Sequence, residues 1–162
     1  MRFYWDRSGP GEEDCVPGET AGYRGNVQPE EAWSTLSTTG TGALVDVRTI
    51  AEWAYVGLPD MSGTGRPLIP VEWQSFPSGA VNPDFVSALK AELEARNVGP
   101  DEPLFFICRS GGRSAAAAAA MTAAGYGNSF NIAGGFEGRP DDERHRGTVE
   151  GWKAAGLPWQ QR

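Results

Sequence analysis

The sequence predicts an α/β domain with a mostly parallel central sheet and helices on both faces. Two short runs, Ala43-Leu-Val-Asp-Val47 and the unbroken apolar Leu104-Phe-Phe-Ile107, read as core strands, the second as one buried on both faces. Helix-forming stretches lie between and after them, at 83–95 and in the alanine-rich run Ser114–Ala124. Strands that alternate with helices at this spacing build parallel sheets, because each crossover carries the chain back along a helix.

At 162 residues the chain is long enough to bury a core without staples, and it reads as one domain over 27–162 after an irregular arm over 1–26. The 22 glycines and 12 prolines imply many tight connections rather than disorder, since the apolar fraction is an ordinary 40%. A net charge of −7 argues against nucleic acid or an anionic membrane as partner. Two cysteines, Cys15 and Cys108, make neither a disulfide framework nor a zinc site, and no metal or other cofactor is expected. The start Met1-Arg-Phe-Tyr-Trp-Asp6 carries no apolar h-region, and no run is long enough to span a bilayer. A cytoplasmic protein is the expectation.

In chain order, Ser8-Gly-Pro-Gly11, Glu12-Glu-Asp14 and Val16-Pro-Gly18 break any periodicity in the arm. Pro29 opens a helix with Glu30 and Glu31 in its first turn and Trp33 and Leu36 on one face. The Ser37–Gly42 run leads into the first core strand. Asp46 and Arg48 stand at that strand's C-terminal end, where parallel sheets place ligands. Glu52 and Trp53 follow on a short helical turn, with Glu52 a partner for Arg48 or Arg113. Leu68-Ile-Pro-Val-Glu-Trp73 reads as a strand that Pro70 confines to an edge or a bend. Asn82-Pro83 is read as N-cap and first position of a helix to about Ala95, with Phe85, Leu89 and Leu93 on its core face. After the alanine helix, capped at Gly125, Ser129-Phe-Asn-Ile132 is a last strand, and Gly134-Gly135 turns it. Phe136 is expected to line the mouth of any pocket there. The stretch Gly151–Trp159 reads as a closing helix or turn sealed by Trp152 and Trp159.

Chemistry concentrates between the second core strand and the alanine helix, in Cys108-Arg-Ser-Gly-Gly-Arg113-Ser114. A strand-to-helix turn aims backbone N–H groups and the positive end of the helix dipole into one concavity. A cysteine at its rim is stabilised in its charged form, and thiolates are nucleophiles. Gly111 and Gly112 are expected to take conformations or close approaches that a side chain forbids. Arg109 and Arg113 supply forks for an anion beside the sulfur. His145 is the one histidine and falls in a solvated charged run, so no Cys–His pair of the protease type is expected.

This loop resembles the active-site loop of rhodanese-type sulfurtransferases. Leu44-Val-Asp46-Val-Arg48 with Glu52-Trp53, Asn131-Ile-Ala-Gly134-Gly135-Phe136, and Gly151-Trp152-Lys-Ala-Ala-Gly156-Leu-Pro158 are also similar to that family, over roughly Val27 to Trp159. The resemblance implies the rhodanese-like fold, with Cys108 catalytic, with Arg109, Ser110, Gly111, Gly112, Arg113 and Ser114 forming the substrate loop, and with Asp46, Arg48, Glu52 and Phe136 supporting it. Where the family carries a Gly-His-Ile-Pro-like segment, this chain has Gly57-Leu-Pro59-Asp60, so nothing that depends on that histidine carries over.

Three functions follow from such a loop. Foremost is transfer of a sulfane sulfur from thiosulfate or a persulfide to cyanide, a small thiol or an acceptor protein, through a Cys108 persulfide. A cysteine-dependent phosphatase or arsenate reductase would need a Cys-X5-Arg loop, and the arginine falls one residue early, at Arg113, with Ser114 in its place. A rhodanese-like binding module is the third. Of the two cysteines, Cys108 is expected to carry sulfur and Cys15, beside Glu12, Glu13 and Asp14, is not.

Overall fold

The computed structural model describes residues 22–162. Strands β1 (Gly25–Val27), β2 (Ala43–Asp46), β4 (Leu68–Pro70), β5 (Leu104–Ile107) and β6 (Ser129–Ile132) form one sheet in the order β1-β6-β5-β2-β4. Every pairing in it is parallel. Helix α1 (Pro29–Thr39) packs on one face, and α3 (Phe85–Ala95) and α4 (Gly112–Ala123) pack on the other. The α/β class is therefore as predicted.

The pleat of β2 and β5 divides the core. Ala43, Val45, Leu104, Phe106 and Cys108 point toward α3 and α4, whereas Leu44, Phe105 and Ile107 point toward α1 and Trp152. Alanine suits α4 for two reasons. It favours the helix, and at Ala117 and Ala118, both fully buried, it lets the helix backbone lie close to the sheet. The helix N-terminus is thereby held against the end of β5, the middle strand.

Several boundaries differ from the sequence expectation. The sheet begins at Gly25, ahead of the boundary placed at 27, because β1 pairs with β6 from Gly25 to Val27. The Asn82 side chain accepts from the Asp84 N–H and its carbonyl accepts from the Phe85 N–H, so Asn82-Pro83 forms a turn and α3 starts only at Phe85. Gly125 lies one residue beyond the C-cap, Ala124. The closing segment forms turns and then β7 (Trp159–Gln160), which pairs antiparallel with β3 (Leu58–Pro59). Trp152 is fully buried and seals the core, while Trp159 stays 40% exposed. β4 occupies the sheet edge, as Pro70 required.

Candidate active site

Cys108 leaves the C-terminal end of β5 and is 1% exposed. Its Sγ accepts from the Gly111 N–H at 3.0 Å, and the Ser114 hydroxyl lies 3.1 Å away. Gly111 caps α4 with φ 118°, a left-handed conformation that swings its amide toward the sulfur. Gly112 does not need to be glycine on those grounds. Its φ is ordinary and an added Cβ would meet nothing within 4 Å, so the expected constraint holds at Gly111 alone.

The far side of the loop is pinned by the turn after β6. The Phe136 N–H donates to the Cys108 carbonyl at 2.7 Å, and the Glu137 and Gly138 N–H groups donate to the Arg109 carbonyl at 3.0 and 3.1 Å. Those bonds hold the Cys108 and Arg109 carbonyls against this turn, while the Gly111 amide turns to the sulfur. Gly135 permits the approach: a Cβ there would stand 2.5 Å from the Cys108 carbonyl oxygen. The second glycine of Gly134-Gly135 thus acts on the Cys108 loop as well as turning the strand.

Helix α2 (Ile50–Tyr55) supplies the partner of Arg113. Thr49 and Glu52 form a capping box, with Glu52 Oε2 accepting from the Thr49 N–H at 2.9 Å. The same carboxylate takes both terminal nitrogens of Arg113, each at 2.8 Å. Burial opposes the charge on Glu52, but the Arg113 fork and the Thr49 donors outweigh it and hold its pKa at about 2. Glu52 in turn raises Arg113 above its ordinary value. This arginine is committed to α2 rather than presented to an anion. Arg109, by contrast, is exposed, as is Ser110.

Below the loop lies a buried ion pair. Asp46 takes Arg48 Nε at 3.0 Å and Nη2 at 2.6 Å, both side chains fully buried, and Nη2 also reaches the Gly57 carbonyl at 2.7 Å. The guanidinium lies 4.2 Å over the Phe136 ring. Phe136 is fully buried, so it forms the floor under the ion pair and not the mouth of a pocket. Lys153 covers its other neighbour, Trp159, at 4.0 Å, and desolvation lowers its pKa despite the charge of Glu137.

Sequence reasoning did not single out Asn131 or Asn26 as site residues. Asn131 is 6% exposed, and its Oδ1 lies 2.6 Å from the Ser114 hydroxyl. The available signal was a polar residue inside the otherwise buried strand Ser129–Ile132. His145 is exposed and bonded within the 141–148 turn. Cys15 lies outside the described residues. Among the described residues no group of three acidic, cysteine or histidine side chains is placed to hold a metal ion, and no helix is long and apolar enough to cross a membrane.

The family model for the rhodanese-like domain matches residues 28–139. The chain belongs to that family. It is 36% identical over 135 residues to an uncharacterized protein of Rickettsia rickettsii, covering 83% of this chain and 96% of that one. It is 29% identical over 132 residues to a protein of Allochromatium vinosum named sulfurtransferase, covering 82% of this chain and 91% of that one. Among solved structures, the rhodanese-like domain here resembles the crystal structure of Rv0390 from M. tuberculosis with a TM-score of 0.75. That likeness is at 44% identity and covers 86% of this chain and 99% of the other. A polysulfide-sulfur transferase homodimer from Wolinella succinogenes shares the fold at a TM-score of 0.52 and 21% identity, covering 85% of this chain and 78% of that one.

Proposed function

We propose that this protein is a sulfurtransferase that carries a sulfane sulfur on Cys108. The observation that carries the reading is the cradle around Sγ: a Gly111 N–H at 3.0 Å, the Ser114 hydroxyl at 3.1 Å, and the start of α4 behind them. The rhodanese-like family and the similarity to a named sulfurtransferase support it.

In the proposed cycle the Cys108 thiolate attacks the outer sulfur of thiosulfate. A bond forms from Sγ to that sulfur, the sulfur–sulfur bond of thiosulfate breaks, and sulfite leaves with the electron pair. The negative charge then sits on the outer sulfur of the persulfide, beside the Gly111 amide and the N-terminus of α4, which suit a soft anion poorly served by a closed apolar pocket. A thiol or cyanide attacks this outer sulfur and returns the Cys108 thiolate; with cyanide the product is thiocyanate. Arg109 is the loop arginine free to meet the anionic end of a donor, and an acceptor protein fits the same chemistry. No step calls for a metal or organic cofactor. A phosphatase reading gains no support, since its loop arginine would have to serve the phosphoryl group and Arg113 is held by Glu52.

Intact-mass analysis after incubation with thiosulfate or polysulfide tests the proposal. The expected result is one added sulfur, mapped to the Cys108 peptide and removed by cyanide. Cys108→Ser should gain none, and Cys15→Ser should behave as the wild type. A wild-type protein that never carries the sulfur, or carries it only on Cys15, overturns the reading.

A further inference from the structure

The Ser114 hydroxyl has one proton and three acceptors in reach: Asn131 Oδ1 at 2.6 Å, Cys108 Sγ at 3.1 Å and Gly111 O at 3.2 Å. Asn131 is the nearest. Its amide cannot turn freely, because its Nδ2 donates to Asn26 Oδ1 at 2.9 Å, and Asn26 is its register partner across β1 and β6. Tyr23 donates its hydroxyl to the same Asn26 oxygen at 3.0 Å. The amide nitrogen is thus occupied on the β1 side, and the amide oxygen is aimed at Ser114.

This polarity suits a sulfur without charge. A thiol hydrogen on Sγ points to Ser114 Oγ, and the serine hydrogen points to Asn131. A thiolate asks for the opposite, with the serine hydrogen turned to the sulfur. That turn leaves Asn131 Oδ1 without its donor, in a side chain that is almost fully buried, and a stranded buried acceptor is costly.

We infer that Asn131, oriented by Asn26, is a positioning residue that disfavours the bare Cys108 thiolate relative to forms in which Sγ carries no charge. Those forms are the thiol and the inner sulfur of a persulfide, whose charge lies on the outer sulfur. The persulfide half of the inference rests on the proposed sulfur transfer; the ionisation half does not. On loading, the inner sulfur no longer competes for the serine hydrogen, which returns to Asn131. Asn131 therefore favours the loaded state over release back to thiolate and donor.

The charged groups around Cys108 are Arg109 and Arg113 of its own loop, Glu52 of α2 and the Asp46–Arg48 pair at the C-terminal end of β2. From α3 and β4 the packed neighbours are apolar, Phe85, Leu89 and Ile69. Substitution at 131 keeps all these groups in the chain, so its effect on ionisation is read through the hydroxyl.

The test is the pH dependence of Cys108 alkylation by iodoacetamide in a Cys15→Ser background, with no sulfur donor present. Asn131→Leu should lower the midpoint by about one pH unit, the scale of one stranded buried acceptor. Ser114→Ala should raise it, since the thiolate loses a donor. The double variant should follow Ser114→Ala. Asn26→Ala, at an exposed position, should shift the midpoint in the same direction as Asn131→Leu but by less, because the freed amide can then turn. Should Asn131→Leu fail to fold, the sign of the Asn26→Ala shift decides. A midpoint that rises or stays put in Asn131→Leu, or in Asn26→Ala, overturns the inference. Persulfidated Asn131→Leu should lose its sulfur to cyanide faster than the wild type, and an equal rate overturns the persulfide half. A protein that shows the alkylation shifts and never accepts sulfur refutes the proposed function while leaving the role of Asn131 in ionisation standing.

Discussion

Arg113, in the first turn of α4, grips Glu52 of α2 with both terminal nitrogens at 2.8 Å. The pair ties the Cys108 loop to the segment that follows β2. It also separates the roles of the two loop arginines, both of which the sequence offers to an anion beside the sulfur. A guanidinium whose fork is filled by a carboxylate has little left for a donor, whereas exposed Arg109 has no such commitment.

Arg109→Ala should therefore raise the KM for thiosulfate by roughly tenfold, the loss of one contact to a charged group. Its KM for a neutral organic trisulfide should change little. Arg113→Ala should lower turnover with both donors alike and destabilise the protein by about 1–2 kcal/mol, as expected for a half-buried bidentate pair. Steady-state kinetics with the two donors, beside urea unfolding, check this. A thiosulfate-selective defect in Arg113→Ala would show that the Glu52 pair opens to bind the donor.

The same pair predicts an acid limit. Glu52 titrates near 4.5 when unperturbed and at about 2 in the fold, so the folded state holds its proton less tightly than the unfolded chain does. A depressed carboxyl contributes stability that is complete above the unfolded value and is lost as pH falls toward the folded one. After allowance for solvent screening of a partly exposed pair, the contribution is about 2 kcal/mol. Unfolding free energy should fall between roughly pH 5 and 2, and Glu52→Gln should flatten that part of the curve. An unchanged slope in Glu52→Gln would move the acid sensitivity to other carboxylates.

Glycine matters at positions that the loop motif alone does not identify. Gly135→Ala would force a Cβ to within 2.5 Å of the Cys108 carbonyl oxygen at a backbone φ of 62°. It should cost more than about 2 kcal/mol and displace Cys108 from its cradle. Gly112→Ala, with open space around the added carbon, should stay within about 0.5 kcal/mol. Urea unfolding of the two variants compares them directly, and a tolerated Gly135→Ala would show that the turn does not pin the loop.

What could be read from the residues alone was whatever depends on neighbours along the chain. Leu104–Ile107 followed by two glycines and an alanine run is a buried strand, a turn and a helix whatever surrounds them, and Cys108 at the junction follows from that order. Alternation of such units implied the parallel sheet. The rest was decided by register and packing between segments far apart in sequence. β1 is three residues long and marginal by composition, and it exists because β6 offers it a partner from Gly25 to Val27. The choice of Arg113 over Arg48 as the partner of Glu52 arose because Asp46, two residues before Arg48, already claims that guanidinium in the core. Phe136 became a floor and not a rim once Arg48 lay over it. Asn131 joined the site only because the sheet sets it opposite Asn26 and beneath Ser114. A side chain's nature is written in the sequence, but a single proton shared among three acceptors belongs to whichever the tertiary structure brings closest.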